Sequence, residues 1–132
     1  MRSLILALIA LVVGAVGALI LVNALNRGTS YQDGVMTVIG AQKKALDLSI
    51  KQNRCAPTDM VPRLQTLRFV ANDIEPAFEA MQGDQQFSRY AGDLRAAADG
   101  ALMTPPASCA AAEAALSKID KACDSCHRDY KN

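Results

Sequence analysis

Residues 108–131 read SCAAAEAALSKIDKACDSCHRDYK and carry the clearest helical pattern in the chain. Their apolar positions recur every three or four residues, which is the spacing of one face of an α-helix. Ser108 marks the start of this pattern. The segment therefore predicts a long amphipathic helix that continues to the last residues of the chain.

The same spacing predicts two helices earlier in the chain. The first runs from about Tyr31 to Arg54, and the second follows with Thr58 or Asp59 as its N-cap. Pro76 lacks a backbone N–H, so we expect it to kink or break the second helix just before its own position.

A further helix is predicted between the Gly83-Asp84 turn and Gly100, with Thr104-Pro105-Pro106 as a firm stop. The low aromatic content of 5% and the absence of Trp also suit helices better than strands. Four amphipathic helices with short connections predict an all-α chain folded as an antiparallel four-helix bundle.

The N-terminal segment has a different character. No residue between Ser3 and Leu25 is charged, and the run from Leu4 to Val22 is entirely apolar. At about 1.5 Å per residue this run spans roughly 28 Å, close to the thickness of a bilayer's hydrocarbon core. A secretory signal has a shorter apolar region, so the prediction is a transmembrane helix, with an uncleaved signal as the related alternative.

Positive charge before the span, from Arg2 and the amino terminus, predicts that the N-terminus is cytoplasmic. The predicted organisation is an inner-membrane anchor at residues 1–25, a linker at 26–30 and a periplasmic helical domain at 31–132. Fourteen Lys and Arg residues against thirteen Asp and Glu give a net charge of +1. This balance excludes the strongly basic character of a nucleic-acid-binding protein.

The run from Cys123 to His127 is a Cys-x-x-Cys-His motif, the pattern of covalent haem attachment. In this chemistry two thiols add to the two vinyl groups of haem, and the adjacent imidazole binds the iron. His127 is the only histidine in the chain. We therefore predict one haem c attached through Cys123 and Cys126, with His127 as an axial iron ligand.

Three other interpretations of the motif stay open from the sequence. A thioredoxin-like redox pair needs a βαβ setting and a thiolate near a helix N-terminus, whereas this motif ends an all-α chain. A structural zinc site needs four nitrogen or sulfur ligands, and the other two cysteines are far away in the predicted fold. The third interpretation is a disulfide within the motif and no cofactor.

Cys55 and Cys109 form the second cysteine pair. In an up-down-up-down bundle the end of the first helix and the start of the fourth lie at the same pole, and these residues occupy those two places. A disulfide there is worth roughly 3 to 4 kcal/mol on the chain-entropy model and suits an oxidising periplasm. The alternative is two buried free thiols.

Met36 is the candidate for the second axial ligand. It lies about 28 Å back along the first helix from Cys55, and His127 lies about 27 Å along the last helix from Cys109, so both reach the opposite pole. A thioether there would complete a His/Met haem with a raised potential. The alternative is an ordinary core methionine.

These motifs resemble the cytochrome c′ family over about residues 30 to 132. The likeness is carried by Lys121 to Lys131 on the last helix, and by Tyr31 to Gln42 on the first, which is similar to the low-spin members. Two departures are Tyr31, where an Arg is common, and Lys131, where an Arg is often seen. The resemblance implies a four-helix haem domain that often pairs through its first two helices.

The resemblance also implies two different functions. Low-spin members use a Met in this stretch as the sixth ligand and carry electrons, which here points to Met36, whereas high-spin members leave that face open and bind nitric oxide or carbon monoxide. We expect an electron carrier and not an enzyme, with a redox partner protein in the periplasm or inner membrane. The alternatives are a gas-binding cytochrome and a structural haem subunit of a membrane complex.

Overall fold

The computed structural model of the protein describes residues 2–26 and 30–131, and every regular element within them is helical. This confirms the all-α prediction for the described part of the chain. The α-helices are, in chain order, α1 (Arg2–Asn26), α2 (Tyr31–Lys51), α3 (Pro57–Val70), α4 (Ile74–Ala77), α5 (Gln85–Met103) and α6 (Cys109–Tyr130). Two short 3₁₀ turns, Ala71–Asp73 and Glu79–Met81, flank α4.

The chain divides into two compact units between Ser30 and Tyr31. The first unit contains α1, whose segment Ile5–Ala24 has 20 residues and a mean hydropathy of 3.1. This segment is long and apolar enough to cross a membrane. Most of the predicted linker lies outside the described residues.

The end of α2 differs from the prediction, because the helix stops at Lys51 and not near Arg54. Asn53 adopts a left-handed conformation with φ of 57°. The Arg54 N–H then donates to the Ser49 carbonyl over 2.8 Å, which closes the helix end in the manner of a Schellman motif. Asparagine tolerates this conformation better than most residues, so it can end a helix where glycine is more usual.

The start of α3 was also predicted wrongly. Its N-cap is Ala56, which makes no side-chain capping bond, and Pro57 is the first helical residue. Thr58 and Asp59 lie inside the first turn and do not cap it. Proline suits this position because its missing N–H has no partner in the first turn of a helix.

Pro76 interrupts the helix as expected, but the break comes earlier than predicted. Regular α-helix ends at Val70, and the chain tightens into a 3₁₀ turn before the short α4, which contains Pro76. Without an N–H at Pro76, the carbonyl of Asn72 has no helical donor four residues ahead. The chain therefore forms the 3₁₀ turn Ala71–Asp73 just before α4.

The predicted starts of the last two long helices are confirmed. The Asp84 side chain accepts from the N–H groups of Gln86 and Phe87 at the start of α5, and the Ser108 hydroxyl accepts from Ala111 at the start of α6. However, α5 continues past Gly100 to Met103. It stops there because the residue before a proline is disfavoured in helical conformation, and Pro105 comes next but one.

In the second unit each of the four long helices packs against two others. α2 lies against α3 and α6, and α5 lies against α3 and α6. One hydrophobic core runs between them, and its most deeply buried large side chains are Leu46, Met60, Leu64, Leu67 and Ile119. The core fixes which face of α6 points inward and so positions the Cys-x-x-Cys-His motif.

Candidate functional site

The thiols of Cys123 and Cys126 lie one turn apart on α6, both half-buried and packed against the core. Neither is joined to another cysteine. His127 follows directly and is exposed to solvent. The structure therefore offers two neighbouring free thiols on an inward-facing side and an accessible imidazole beside them, which is the donor set that covalent haem attachment requires.

Burial raises the pKa of both thiols above their ordinary value. The positive charge of Lys43 partly opposes this effect at Cys123, and the nearby Asp129 adds to it at Cys126. A redox-active Cys-x-x-Cys pair works through a lowered thiol pKa near a helix N-terminus. The opposite shift, in the C-terminal half of α6, argues against the thioredoxin-like interpretation.

Two contacts set the alignment of α2 with α6. The disulfide between Cys55 and Cys109 links the residues that follow α2 to the first residue of α6, with 5.1 Å between their Cα atoms. Further along, the Lys43 Nζ atom lies 2.9 Å from Asp120 Oδ1. From the disulfide to this ion pair, residue numbers therefore fall along α2 and rise along α6.

Met36 and His127 lie beyond the ion pair, on the side away from the disulfide, on α2 and α6 respectively. Met36 is seven residues before Lys43 on α2, and His127 is seven residues after Asp120 on α6. Seven residues make almost two complete helical turns, so each predicted ligand lies on the same side of its helix as the corresponding ion-pair residue. Helix rise therefore gives Met36 and His127 about the same level along the two helices, each about 10 Å beyond the ion pair.

Met36 is half-buried and packs against the core next to Val35, which is fully buried. Among the other methionines, Met60 is buried at the start of α3 and Met103 is 85% exposed at the end of α5. Met81 is half-buried in the turn that leads to Asp84. Met81 therefore remains the only other described methionine near the end of α6, on its α5 side.

The predicted disulfide partner of Cys55 is present in the structure. Cys55 is 6% exposed, and its bond to Cys109 closes a loop with a sequence separation of 54 residues. The two cysteine pairs lie at opposite ends of α6, which is roughly 33 Å long. We call the end with Cys55 the disulfide end and the end with Cys126 the thiol end.

The thiol end also contains two tyrosine–carboxylate contacts between α5 and α6. The Tyr130 hydroxyl donates to Asp84 Oδ2 over 2.6 Å, and the Tyr90 hydroxyl donates to Asp129 Oδ2. The hydrogen bond from Tyr130 lowers the pKa of Asp84, and the same bond raises the pKa of Tyr130 to about 12. These contacts hold the last turn of α6 against α5.

Within the described residues no three His, Cys, Asp or Glu side chains form a group that can hold a metal ion. A four-ligand zinc site therefore finds no support there. An open groove lined by small side chains lies between α5 and α6, at the disulfide end, and includes Ala101, Pro105 and Ala111. None of the predicted haem residues lines this groove.

Two residues of the site were missed at the sequence level. Lys43 and Asp120 carry opposite charges at positions that are each seven residues from a predicted iron ligand. Both side chains remain exposed at 39% and 40%, so the pair adds little to stability. The spacing of seven puts each residue on the same side of its helix as a predicted ligand, but it does not identify which sides of α2 and α6 face each other.

Comparisons with known protein families, with curated proteins and with solved structures found no match for this chain.

Proposed function

We propose that this chain is a membrane-anchored, mono-haem c-type cytochrome that carries electrons, similar to the low-spin members of the cytochrome c′ family. In this proposal Cys123 and Cys126 would hold one haem c covalently, and His127 and Met36 would bind its iron. The observation that carries the proposal is the alignment of α2 with α6 by the Cys55–Cys109 bond and the Lys43–Asp120 pair, from which helix rise gives Met36 and His127 about the same level.

We infer that the four long helices of the second unit form an antiparallel bundle. Three sets of contacts support this arrangement, because residue numbers rise along one helix as they fall along its neighbour. Along the segment from α3 to α4, Arg68 of α3 contacts Asp99 of α5, while Glu75 of α4, further on, contacts Arg95 of α5. The contacts of α2 with α6, and those of Asp84 and Tyr90 with the end of α6, follow the same rule.

Each residue has a definite chemical task in the proposal. Each thiol of Cys123 and Cys126 would form a thioether by addition of its S–H across a haem vinyl group, with sulfur bonding to one vinyl carbon and the hydrogen to the other, so no oxidant would be consumed. His127 and Met36 would donate electron pairs from nitrogen and sulfur to the iron. When bound, the haem iron supplies the one-electron change between its ferric and ferrous states.

The protein part sets the surroundings of these groups. Val35 and Ile39 on α2 and Ile119 on α6 are buried beside the ligand-bearing sides and exclude water. A thioether ligand together with a dry, apolar surrounding favours the ferrous form and raises the potential. This combination suits transfer of electrons and requires no bound substrate.

We place the second unit in the periplasm and the N-terminus in the cytoplasm, with α1 in the inner membrane. Arg2 before the span and the disulfide of Cys55 in the second unit support this topology, since disulfides persist in oxidising compartments. The expected partner is a redox protein of the periplasm or inner membrane. Pairing of two copies through α2 and α3 is a further part of the proposal.

The first experiment asks whether the haem is covalent. The full-length protein is purified in detergent and extracted with acidified acetone, which removes haem that is held only by ligation. Colour that stays with the precipitated polypeptide supports the proposal. A colourless polypeptide would remove the haem and every inference that depends on it.

The second experiment tests Met36 with a matched control. Met36→Ala is expected to abolish the far-red sulfur-to-iron absorption band of the ferric protein and to let carbon monoxide bind the ferrous protein. Met81→Ala removes another half-buried methionine and is expected to change neither property. An unaltered protein that is already high-spin and binds carbon monoxide would overturn the electron-carrier proposal in favour of gas binding.

A further inference from the structure

The end of α6 is fixed to α5 by four residues, Asp84, Tyr90, Asp129 and Tyr130, which we call the tyrosine–aspartate cluster. Each tyrosine hydroxyl donates to a carboxylate of the other helix, from Tyr130 to Asp84 and from Tyr90 to Asp129. One bond is donated by α6 to the N-cap residue of α5, and the other is donated by α5 to α6. The cluster therefore restrains both the position and the rotation of the last turn of α6.

Aromatic packing surrounds these hydrogen bonds. The Tyr130 ring meets Phe87 edge to face with centroids 5.3 Å apart, and it meets Tyr90 in the same way at 6.2 Å. Phe87 in turn contacts Phe78 at 5.4 Å. Edge-to-face pairs of this kind have preferred geometry as well as buried area, so they add direction to the restraint.

Asp84 serves two helices at once. Its Oδ1 atom accepts from the N–H groups of Gln86 and Phe87 and so caps α5, while Oδ2 accepts from Tyr130 of α6. The pKa of Tyr130 is raised to about 12, chiefly by this bond, so its hydroxyl remains a donor throughout the neutral range. The start of α5 and the end of α6 are thereby joined through one carboxylate.

His127 has no comparable support of its own. Its side chain is exposed, and it lies in the last turn of α6, where helices commonly fray. Its backbone carbonyl accepts from Lys131 over 3.0 Å, which is the capping bond of the helix. The orientation of the imidazole therefore depends on how firmly the following residues, Asp129 and Tyr130, are held.

We infer that the tyrosine–aspartate cluster is a positioning device that holds the last turn of α6, and with it His127, in the orientation needed to bind iron. This inference rests on the proposed function. Asp84, Tyr90, Asp129 and Tyr130 are positioning residues in this role, because they act through the helix that carries the ligand. Such a restraint keeps an exposed imidazole attached during repeated changes of iron oxidation state.

The test removes one hydroxyl and retains the ring. Tyr130→Phe loses the bond to Asp84 but retains the contacts with Phe87 and Tyr90. The control is Tyr31→Phe, which removes a solvent-exposed tyrosine hydroxyl at the start of α2, outside the tyrosine–aspartate cluster. Haem content is measured first, and both variants are then studied as full-length, haem-loaded protein.

Two measurements follow for each variant. Amide hydrogen exchange of the last turn of α6 is expected to be roughly threefold to tenfold faster in Tyr130→Phe than in the parent, as for loss of one hydrogen bond. The iron–histidine stretching band, recorded by resonance Raman on the ferrous protein in a Met36→Ala background, is expected to broaden or split in Tyr130→Phe. Tyr31→Phe is expected to leave both unchanged.

The outcomes separate this inference from the proposed function. A parent protein without covalent haem contradicts the proposed function at the first step. A haem-loaded Tyr130→Phe protein with faster exchange but an unchanged iron–histidine band overturns only the positioning role, because the cluster would then stabilise the helix end without orienting His127. Equal behaviour of the Tyr31 and Tyr130 variants overturns it as well.

Discussion

The disulfide end and the thiol end of the helical domain use the same amino acid for different purposes. At the disulfide end, Cys55 and Cys109 come from two separate segments, are brought together by the fold and are bonded to each other. At the thiol end, Cys123 and Cys126 belong to a single helix, lie one turn apart and remain free. The first pair closes the chain on itself, and the second is left available for a group from outside it.

This difference shows that sequence distance and helix geometry determine what a cysteine pair can do. Two cysteines three residues apart in one helix enclose a very short loop, so a bond between them would constrain the unfolded chain less than a bond that closes a long loop. They do present two sulfurs at a fixed separation toward one side. Cys55 and Cys109, at a sequence separation of 54, constrain the unfolded chain strongly.

The largest expected effect comes from replacing the pair at the thiol end. Cys123→Ala combined with Cys126→Ala is expected to reduce covalent haem to background, because no sulfur then remains at the site to form a thioether. Haem staining of the denatured protein after electrophoresis measures this. Cys55→Ala with Cys109→Ala serves as the matched control and is expected to retain haem staining. Equal staining of the two double variants would contradict the different roles of the two cysteine pairs.

Removal of the disulfide is expected to act on stability and to leave the haem in place. Cys55→Ala with Cys109→Ala should lower the free energy of unfolding by roughly 3 to 4 kcal/mol on the chain-entropy model. Urea denaturation of the haem-loaded protein, followed by circular dichroism, gives the value. A loss of less than about 1 kcal/mol would mean that the unfolded chain is already compact, as some reduced proteins are.

A smaller effect distinguishes the two helix starts at the disulfide end. Ser108 caps α6 with its hydroxyl, so Ser108→Ala should cost about 1 kcal/mol. Ala56 occupies the N-cap of α3 with extended backbone but no side-chain bond, so Ala56→Ser should stabilise the protein by up to about 1 kcal/mol. Thermal unfolding of the two variants checks these opposite signs, and a shift in the same direction would contradict the assigned caps.

The smallest expected effect is a pH dependence at the thiol end. The bond from Tyr130 lowers the pKa of Asp84 below its ordinary value of 3.8, so its stabilising contribution is present above that value and is lost as the pH falls through the lowered one. Asp84→Asn is therefore expected to lose less stability than the parent between about pH 5 and pH 2. Urea midpoints at both pH values measure this, and parallel losses would contradict it.

Much of this arrangement follows from local patterns in the sequence. The starts of α5 and α6 are recognisable because a short polar residue, Asp84 or Ser108, precedes a periodic apolar segment. The bond between Cys55 and Cys109 follows from helix lengths and short loops, which bring the end of one helix near the start of another. These predictions need only spacing and residue type.

The features that were missed depend on tertiary structure or on weak local signals. Asn53 ends α2 through a left-handed conformation that glycine adopts far more often. The sequence therefore did not indicate that the helix ends at this residue. The pairing of Lys43 with Asp120 requires knowledge of which helix sides face each other. The contact of Tyr130 with Asp84 joins residues 46 positions apart and has no local pattern.

The disulfide has a consequence for proteolysis. The turn at Gly83, where φ is 86°, lies between the two bonded cysteines, in the connection from α4 to α5. A protease that cut this turn once would give two fragments that still migrate as a single species until a reducing agent is added. The fragment with the Cys-x-x-Cys-His motif would remain covalently connected to the fragment with α1, so a nick of this kind would not separate the motif from α1.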